Sequence, residues 1–104
     1  MSIPAITAET PLPIKMELLR PGGPLEGLRP KEVEYGRIRA RYLLMVWEED
    51  DLFMVMTIGG LAQTKRREGF ALKAEMVAYV NAWLRRTVKR GRALREKQQG
   101  SVTP

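Results

Sequence analysis

Positively charged side chains are the largest group in this sequence whose type and spacing could do chemistry. Seven of them fall within residues 85–97, where Glu96 is the one opposing charge, so the segment carries a net charge of +6. The whole chain also carries +6. Like charges at this density repel one another unless an anionic partner neutralises them. We therefore predict an anionic partner for Arg85, Arg86, Lys89, Arg90, Arg92, Arg95 and Lys97. The alternative is a solvated helical face, although such faces usually mix charges of both signs.

A second, smaller set of cations lies upstream of this segment. Three arginines alternate with other residues before residue 42, and three cations are consecutive near residue 66. If the first group lies on a strand, alternation places its arginines on one face. We predict a secondary basic patch made of Arg37, Arg39, Arg41, Lys65, Arg66 and Arg67. Either nucleic acid or an acidic protein surface could be the partner of these two sets of cations.

The residue types that most enzyme mechanisms require are missing from the sequence. The chain has no His and no Cys, which excludes His-based triads, thiol nucleophiles and the usual zinc ligands. Its two serines, Ser2 and Ser101, lie in terminal segments where a preorganised nucleophile is not expected. The acidic run at residues 48–51 is contiguous, whereas calcium loops space their ligands alternately. We therefore predict a non-enzyme without catalytic residues, metal or other cofactor, and no small-molecule substrate is evident.

One stretch resembles a peptidase motif. Thr64, Arg66, Gly69, Ala71 and Lys73 have the spacing of the S-x-H-x-x-G-x-A-x-D motif of D-Ala-D-Ala carboxypeptidase-type zinc peptidases. In this sequence cations stand where the motif has both of its metal ligands, and cations would repel zinc. The resemblance therefore implies a degenerate, metal-less domain of that type.

The order of a basic hairpin, a loop and a helix resembles the three-stranded DNA-binding domains of phage integrases. The helix contains the segment LKAEMVAYVNAW, and the resemblance covers about half of the chain. It implies that the face bearing Arg37, Arg39 and Arg41 belongs to a sheet that reads DNA.

The basic C-terminal segment continues an amphipathic helix that we predict over about residues 74–90. From residue 72 onward, apolar residues recur at the three- and four-residue steps that place side chains on one helical face, namely Leu72, Met76, Val80, Trp83, Leu84 and Val88. We expect this face to contribute to the core. We also expect Gly91 to break or kink the helix.

Several segments before the helix have the pattern of strands. Ile14–Arg20 alternates apolar and polar residues, which predicts a short half-buried strand. Residues 31–47 fit either a helix or a strand, and we favour a hairpin in which Arg41–Trp47 and Leu52–Ile58 are joined by a four-residue EEDD turn. Leu52–Ile58 is a strand under both interpretations. Residues 59–69 fit a loop or a short polar edge strand.

The largest apolar side chains are expected to pack in the core. Trp47 and Trp83 could stack on nucleic-acid bases, but both lie within apolar periodicity, which favours packing. Four of the methionines also occupy core-like positions, namely Met45, Met54, Met56 and Met76.

These patterns predict a single α+β domain over residues 14–98. A small antiparallel β-sheet, with its hairpin at about residues 35–58, packs on one long C-terminal helix. Residues 1–13 contain three prolines, which favours an extended arm, and residues 99–104 form a tail. Because such an arm makes few backbone hydrogen bonds of its own, we expect it to be ordered only through contacts with other chains.

The function we predict first is that of a non-enzymatic structural subunit in a larger assembly, such as a phage or other virion-type particle. Its extended termini and basic helix would engage other protein subunits, in a homo- or hetero-oligomer, or an anionic partner. The alternatives are a nucleic-acid-binding protein and a degenerate peptidase-type domain. No apolar run reaches the length of a membrane span, and the N-terminus lacks the features of a signal peptide. We therefore expect a cytoplasmic location, or one within such a particle, and no membrane partner.

Overall fold

The computed structural model of the chain describes residues 3–19, 23–25, 42–59 and 64–100, with helix side chains as far as residue 93. Within these ranges the chain forms four strands and one helix, namely β1 (Ile14–Glu17), β2 (Leu43–Glu49), β3 (Leu52–Gly59), β4 (Thr64–Phe70) and α1 (Lys73–Gly100). The strands form one antiparallel sheet in the order β1-β2-β3-β4. This arrangement confirms the predicted α+β class, in which a small antiparallel sheet packs on one long C-terminal helix.

The β2–β3 hairpin decides between the two interpretations of residues 43–47 in favour of the strand, while residues 31–41 lie outside the described residues. Its register pairs Glu49 with Leu52, so Asp50 and Asp51 alone form the turn. The predicted four-residue turn is therefore wrong, because Glu48 and Glu49 belong to β2. Both aspartates have positive φ, 52° and 62°. Positive φ at both central residues characterises the type I′ turn, whose twist matches that of the flanking strands.

The two outer strands of the sheet have more polar sequences than the inner two. β1 pairs with β2 and alternates half-buried with exposed residues, as predicted. β4 pairs with β3 along its whole length, and six of its seven residues are exposed. Residues 64–70 therefore adopt the second of the two predicted alternatives, the polar edge strand. Its charged side chains suit an edge, because charge discourages pairing with a further strand.

A fully buried stripe of α1 covers one face of the sheet. Met76, Val80, Leu84 and Val88 each have an exposure of 0%. Burying such a side chain fully contributes about 1.5–3 kcal/mol, so this stripe holds the helix to the sheet. Leu72, which was predicted to belong to the stripe, is 59% exposed because it precedes the first residue of the helix.

Helix α1 continues past Gly91 to Gly100, so the predicted end near residue 90 and the predicted break are wrong. Gly91 lies inside the helix and makes a close contact with Leu25. A Cβ atom at Gly91 would overlap Leu25 Cδ2 and would lie 3.2 Å from Leu25 Cδ1. Leu25 is 1% exposed and belongs to the core, so the missing side chain at Gly91 makes room for it. Although α1 has 28 residues, no helix in the described part of the chain is long and apolar enough to cross a membrane.

The N-terminal arm packs on α1 of its own chain. Ile6 is 5% exposed and belongs to the core cluster, against which Ile3 and Leu12 also pack. The Ile6 N–H donates a hydrogen bond to Asn81 Oδ1 at 2.8 Å, and Asn81 Nδ2 donates one to the Ile6 carbonyl at 2.9 Å. The expectation that other chains alone order this arm is therefore wrong for these residues. A side-chain amide satisfies the backbone groups that would otherwise need a strand partner.

Candidate anion-binding cleft

A cleft of about 640 Å³ opens between α1 and the β3–β4 part of the sheet. Three arginines line it, Arg86 and Arg90 from α1 and Arg66 from β4. The other described lining residues are uncharged, namely Tyr42, Thr57, Gly59, Thr64, Tyr79, Trp83 and Thr87. None of the described residues that line the cleft carries a carboxylate, so the three positive charges meet no negative charge in the lining.

Helical periodicity brings two of the arginines to the cleft. Residues four apart on a helix lie on the same face, and Arg86 and Arg90 are therefore one turn apart, or about 6 Å along the helix axis. Both are exposed. Trp83 and Thr87, which also line the cleft, are half-buried and adjoin the fully buried Leu84 and Val88. The helix thus carries its aromatic and hydroxyl groups toward the interior of the cleft and its guanidinium groups near the surface.

Strand alternation brings the third arginine to the cleft. Arg66 pairs with Thr57 in the β3–β4 register, and Thr57 is 3% exposed beneath the helix. Because successive residues of a strand point to opposite faces, Lys65 and Arg67 lie on the other face of the sheet. The strand register therefore places the three consecutive cations on two faces of the sheet, and Arg66 is the one of the three that lines the cleft.

Arg67 is engaged by other residues on the face away from α1. Its Nη2 donates to Glu49 Oε2 at 2.9 Å, and its Cζ lies 5.4 Å from the centroid of the Trp47 ring. Trp47 Nε1 donates to the same carboxylate oxygen at 3.1 Å. Ion pairs as exposed as this one contribute little to stability. The contacts of Arg67 with Glu49 and Trp47 nevertheless keep its side chain beside Trp47, on the opposite side of the sheet from the cleft.

The sheet face away from α1 carries an apolar surface. Its register places Met45 opposite Met56 and Trp47 opposite Met54. We call this surface the methionine face and define it by five half-buried residues, Met45, Trp47, Met54, Met56 and Ile58. The prediction that Trp47 and these three methionines pack in the core is wrong, because the alternate residues of β2 and β3 occupy the core face. The same prediction is confirmed for Met76, which is fully buried, and Trp83 packs against the core while it lines the cleft.

The structure divides the residues that the sequence predicts to bind an anion. Arg86 and Arg90 line the cleft, whereas Arg85 and Lys89 are exposed elsewhere on α1 and Arg92 is half-buried outside the lining. Residues 95 and 97 belong to α1. The side chains of Arg95 and Lys97, and all of Arg37, Arg39 and Arg41, lie outside the described residues.

The residues that resemble the peptidase motif are divided between the cleft and other positions. Arg66 lies within β4, Lys73 is the first residue of α1, and Thr64 and Arg66 are the two motif residues that line the cleft. Across the described ranges no three acidic side chains come together as a group that could hold a metal ion.

Sequence reasoning missed the uncharged lining of the cleft except for Trp83, for which it considered stacking on bases but favoured core packing. Tyr79, Trp83 and Thr87 recur at four-residue steps, and this spacing was the available signal for a polar and aromatic stripe beside the buried one. Thr57 and Gly59 gave no such signal, because their positions depend on the strand register. Together the lining offers guanidinium groups, hydroxyl groups and aromatic rings, which suit an anion that also has a flat, unsaturated part. No protein-family model, curated protein or solved structure matches this chain.

Proposed function

We propose that this chain is a non-enzymatic nucleic-acid-binding protein that contacts phosphate groups through the cleft between α1 and β4. The observation that carries the proposal is the convergence of Arg66, Arg86 and Arg90 in a lining whose described residues include no acidic side chain. Guanidinium groups form paired hydrogen bonds with phosphate oxygens, and three of them in one cleft concentrate positive potential where a phosphate would bind.

The aromatic part of the lining favours nucleic acid over an acidic protein surface. Trp83 and Tyr79 are half-buried, so part of each side chain remains accessible in a cleft that also holds the arginines. Nucleobases stack on such rings and phosphates pair with such arginines, so one ligand uses both groups. An acidic protein surface would use the charges and leave the rings without a matching group.

The test compares two double variants of α1 that remove equal charge at equal spacing. Arg86→Gln with Arg90→Gln removes two cations from the cleft, and Arg85→Gln with Lys89→Gln removes two exposed cations outside its lining. Gln is also a good helix former, so both variants should fold. Binding to a labelled oligonucleotide is measured by fluorescence anisotropy over a salt series.

We expect the cleft variant to weaken binding by about tenfold or more at moderate salt. Its slope of log affinity against log salt should flatten by about 0.7–0.9 for each phosphate that the variant no longer neutralises. The control variant should bind more tightly than the cleft variant and keep a steeper slope. Equal reductions in affinity for the two variants would show that net charge alone matters and would contradict the cleft as the binding site.

A structural subunit of a larger assembly, such as a phage or other virion-type particle, is a second candidate function. The methionine face favours it, and we propose that this face packs on a second copy of the chain. Charges of both signs lie at its margin, with Lys15 and Glu17 exposed on β1 and Glu49 paired with Arg67 at the other end. Two-fold-related copies can place such charges opposite one another, whereas two copies of the cleft would repel. For the degenerate peptidase-type domain no observation adds support.

A further inference from the structure

We infer that the cleft binds an unpaired nucleotide of a single-stranded nucleic acid, with its base against Trp83 and Tyr79 and its phosphate on the arginines. This inference rests on the proposed function and specifies the class of substrate. Three properties of the cleft carry it, namely the fixed aromatic rings, the buried floor and the position of the charges.

The two rings are held in place by their own neighbours. The Tyr79 ring lies 5.1 Å from the Phe70 ring, centroid to centroid, at an interplanar angle of 48°. Trp83 packs against the core, and its Cζ2 lies 3.5 Å from the point where a Cβ would stand at Gly59. Rings that are already fixed lose little conformational entropy when a base stacks on them.

The floor of the cleft is formed by buried residues. Thr57 is 3% exposed and Tyr42 is 4% exposed, although both contribute to the lining. The volume of about 640 Å³ falls within the range of pockets that enclose small organic ligands, roughly 300–1,000 Å³. A base can reach such a floor only when it is not stacked within a double helix.

The polar groups are distributed as a nucleotide requires. Arg66, Arg86 and Arg90 are exposed, whereas Trp83 and Tyr79 are half-buried, so the charges lie nearer to solvent than the rings. A phosphate therefore meets the arginines at the entrance while the base lies further in. The hydroxyl groups of the lining threonines can both donate and accept hydrogen bonds, and these suit the edges of a base or sugar.

The first test uses the unmodified protein with four ligands that separate the contributions of base and phosphate. These are an oligothymidine, an abasic oligomer of the same length, a duplex of the same length and thymidine monophosphate. Stacking of a base on an aromatic side chain changes affinity by roughly 5- to 150-fold, so the oligothymidine should bind at least about fivefold more tightly than the abasic oligomer and the duplex. An oligouridine compared with an oligodeoxyuridine, which differs from it only in lacking the 2′-OH, then distinguishes RNA from DNA as the source of the strand.

The second test uses tryptophan fluorescence, since the two tryptophans lie on opposite sides of the sheet, Trp83 on α1 and Trp47 on β2. In the Trp47→Phe variant the emission comes from Trp83, and we expect oligothymidine to quench it. In the matched Trp83→Phe variant the emission comes from Trp47, on the methionine face, and we expect no quenching at an oligothymidine concentration at which anisotropy shows that the variant is bound. If either variant fails to fold, the comparison of oligothymidine with the abasic oligomer still decides the question.

The outcomes separate this inference from the proposed function. Equal affinity for oligothymidine and the abasic oligomer, abolished in the Arg86→Gln, Arg90→Gln variant, would overturn the base-binding inference and leave the proposed function intact. Equal or tighter binding of the duplex, or of thymidine monophosphate, would overturn the assignment to a single strand. Absence of binding to every nucleic acid would overturn the proposed function itself.

Discussion

At the scale of single residues, Gly91 reverses the usual effect of glycine in a helix. Replacing a helical glycine by alanine normally stabilises a protein by about 0.5–1 kcal/mol. At Gly91 the added methyl group would overlap Leu25, which is 1% exposed and has little room to move. We therefore expect Gly91→Ala to lower the free energy of unfolding by about 1–3 kcal/mol, as overpacking in a core does. Urea denaturation followed by circular dichroism measures the change.

The control for Gly91→Ala is the double variant Gly91→Ala, Leu25→Ala. Removing most of the Leu25 side chain creates space that the new methyl group partly fills. The double variant should therefore lose less stability than the sum of the two single variants, with a coupling energy of about 0.5–3 kcal/mol. Stabilisation by Gly91→Ala alone, or strictly additive losses, would show that Gly91 and Leu25 do not share this space.

At the scale of elements, Asn81 joins the N-terminal arm to α1. Its side-chain amide pairs with both backbone groups of Ile6. Asn81→Ala would leave both groups without this partner, which costs about 1–3 kcal/mol when they remain away from water. We expect this loss in chemical denaturation, whereas Arg85→Ala, an exposed site one turn further along α1, should change stability by no more than about 0.5 kcal/mol.

Deleting residues 2–10 completes this experiment. Once the arm is absent, Asn81→Ala removes nothing further, so we expect its effect to disappear in the shortened chain. We also expect the deletion itself to destabilise an isolated monomer, because Ile6 is part of the core. An arm that could be removed without loss of monomer stability would show that its packing on α1 contributes nothing.

The types of most described elements follow from the sequence because they depend on local periodicity. Alternation predicts β1, a short and nearly continuous apolar run predicts β3, and the four-residue recurrence of apolar residues predicts the buried stripe of α1. The role of Gly91 inside α1 does not follow, because it depends on a contact with Leu25, 66 residues earlier in the chain. The length of the β2–β3 turn does not follow either, since Asp50 and Asp51 both adopt a positive φ that residues other than glycine rarely take.

The two arginines that α1 contributes to the cleft could be predicted from the sequence, whereas the selection of Arg66 on β4 could not. Arg86 and Arg90 belong to a charged helical segment that is visible from composition alone. Arg66 lies between two other cations, and only the register of β4 against β3 shows which of the three lines the cleft. A site formed between distant elements depends on how those elements align, and local pattern contains little of that information.

At the scale of the whole molecule, self-association through the methionine face is testable without a ligand. We expect light scattering to show a concentration-dependent dimer. Met54→Glu places a charge within this face and should shift the protein toward monomer, because burying an unpaired charge costs several kcal/mol. Leu72→Glu is the matched control, since Leu72 is 59% exposed and lies outside the face. A wild-type protein that stays monomeric at every concentration would exclude this dimer.

Side chains alternate along β4, so its even-numbered residues lie on one face of the sheet and its odd-numbered residues lie on the other. The register of β4 therefore determines which charges each face of the sheet carries. With Arg66 in the cleft, the even positions 64, 66 and 68 share its face, and the odd positions 65 and 67 share the other. A slip of β4 by a single residue against β3 would exchange the two sets. The cleft would then receive Lys65 and Arg67 in place of Arg66, and Glu49 would lose its partner. A one-residue insertion between β3 and β4 could thus redistribute charge across the sheet without altering the composition of either strand.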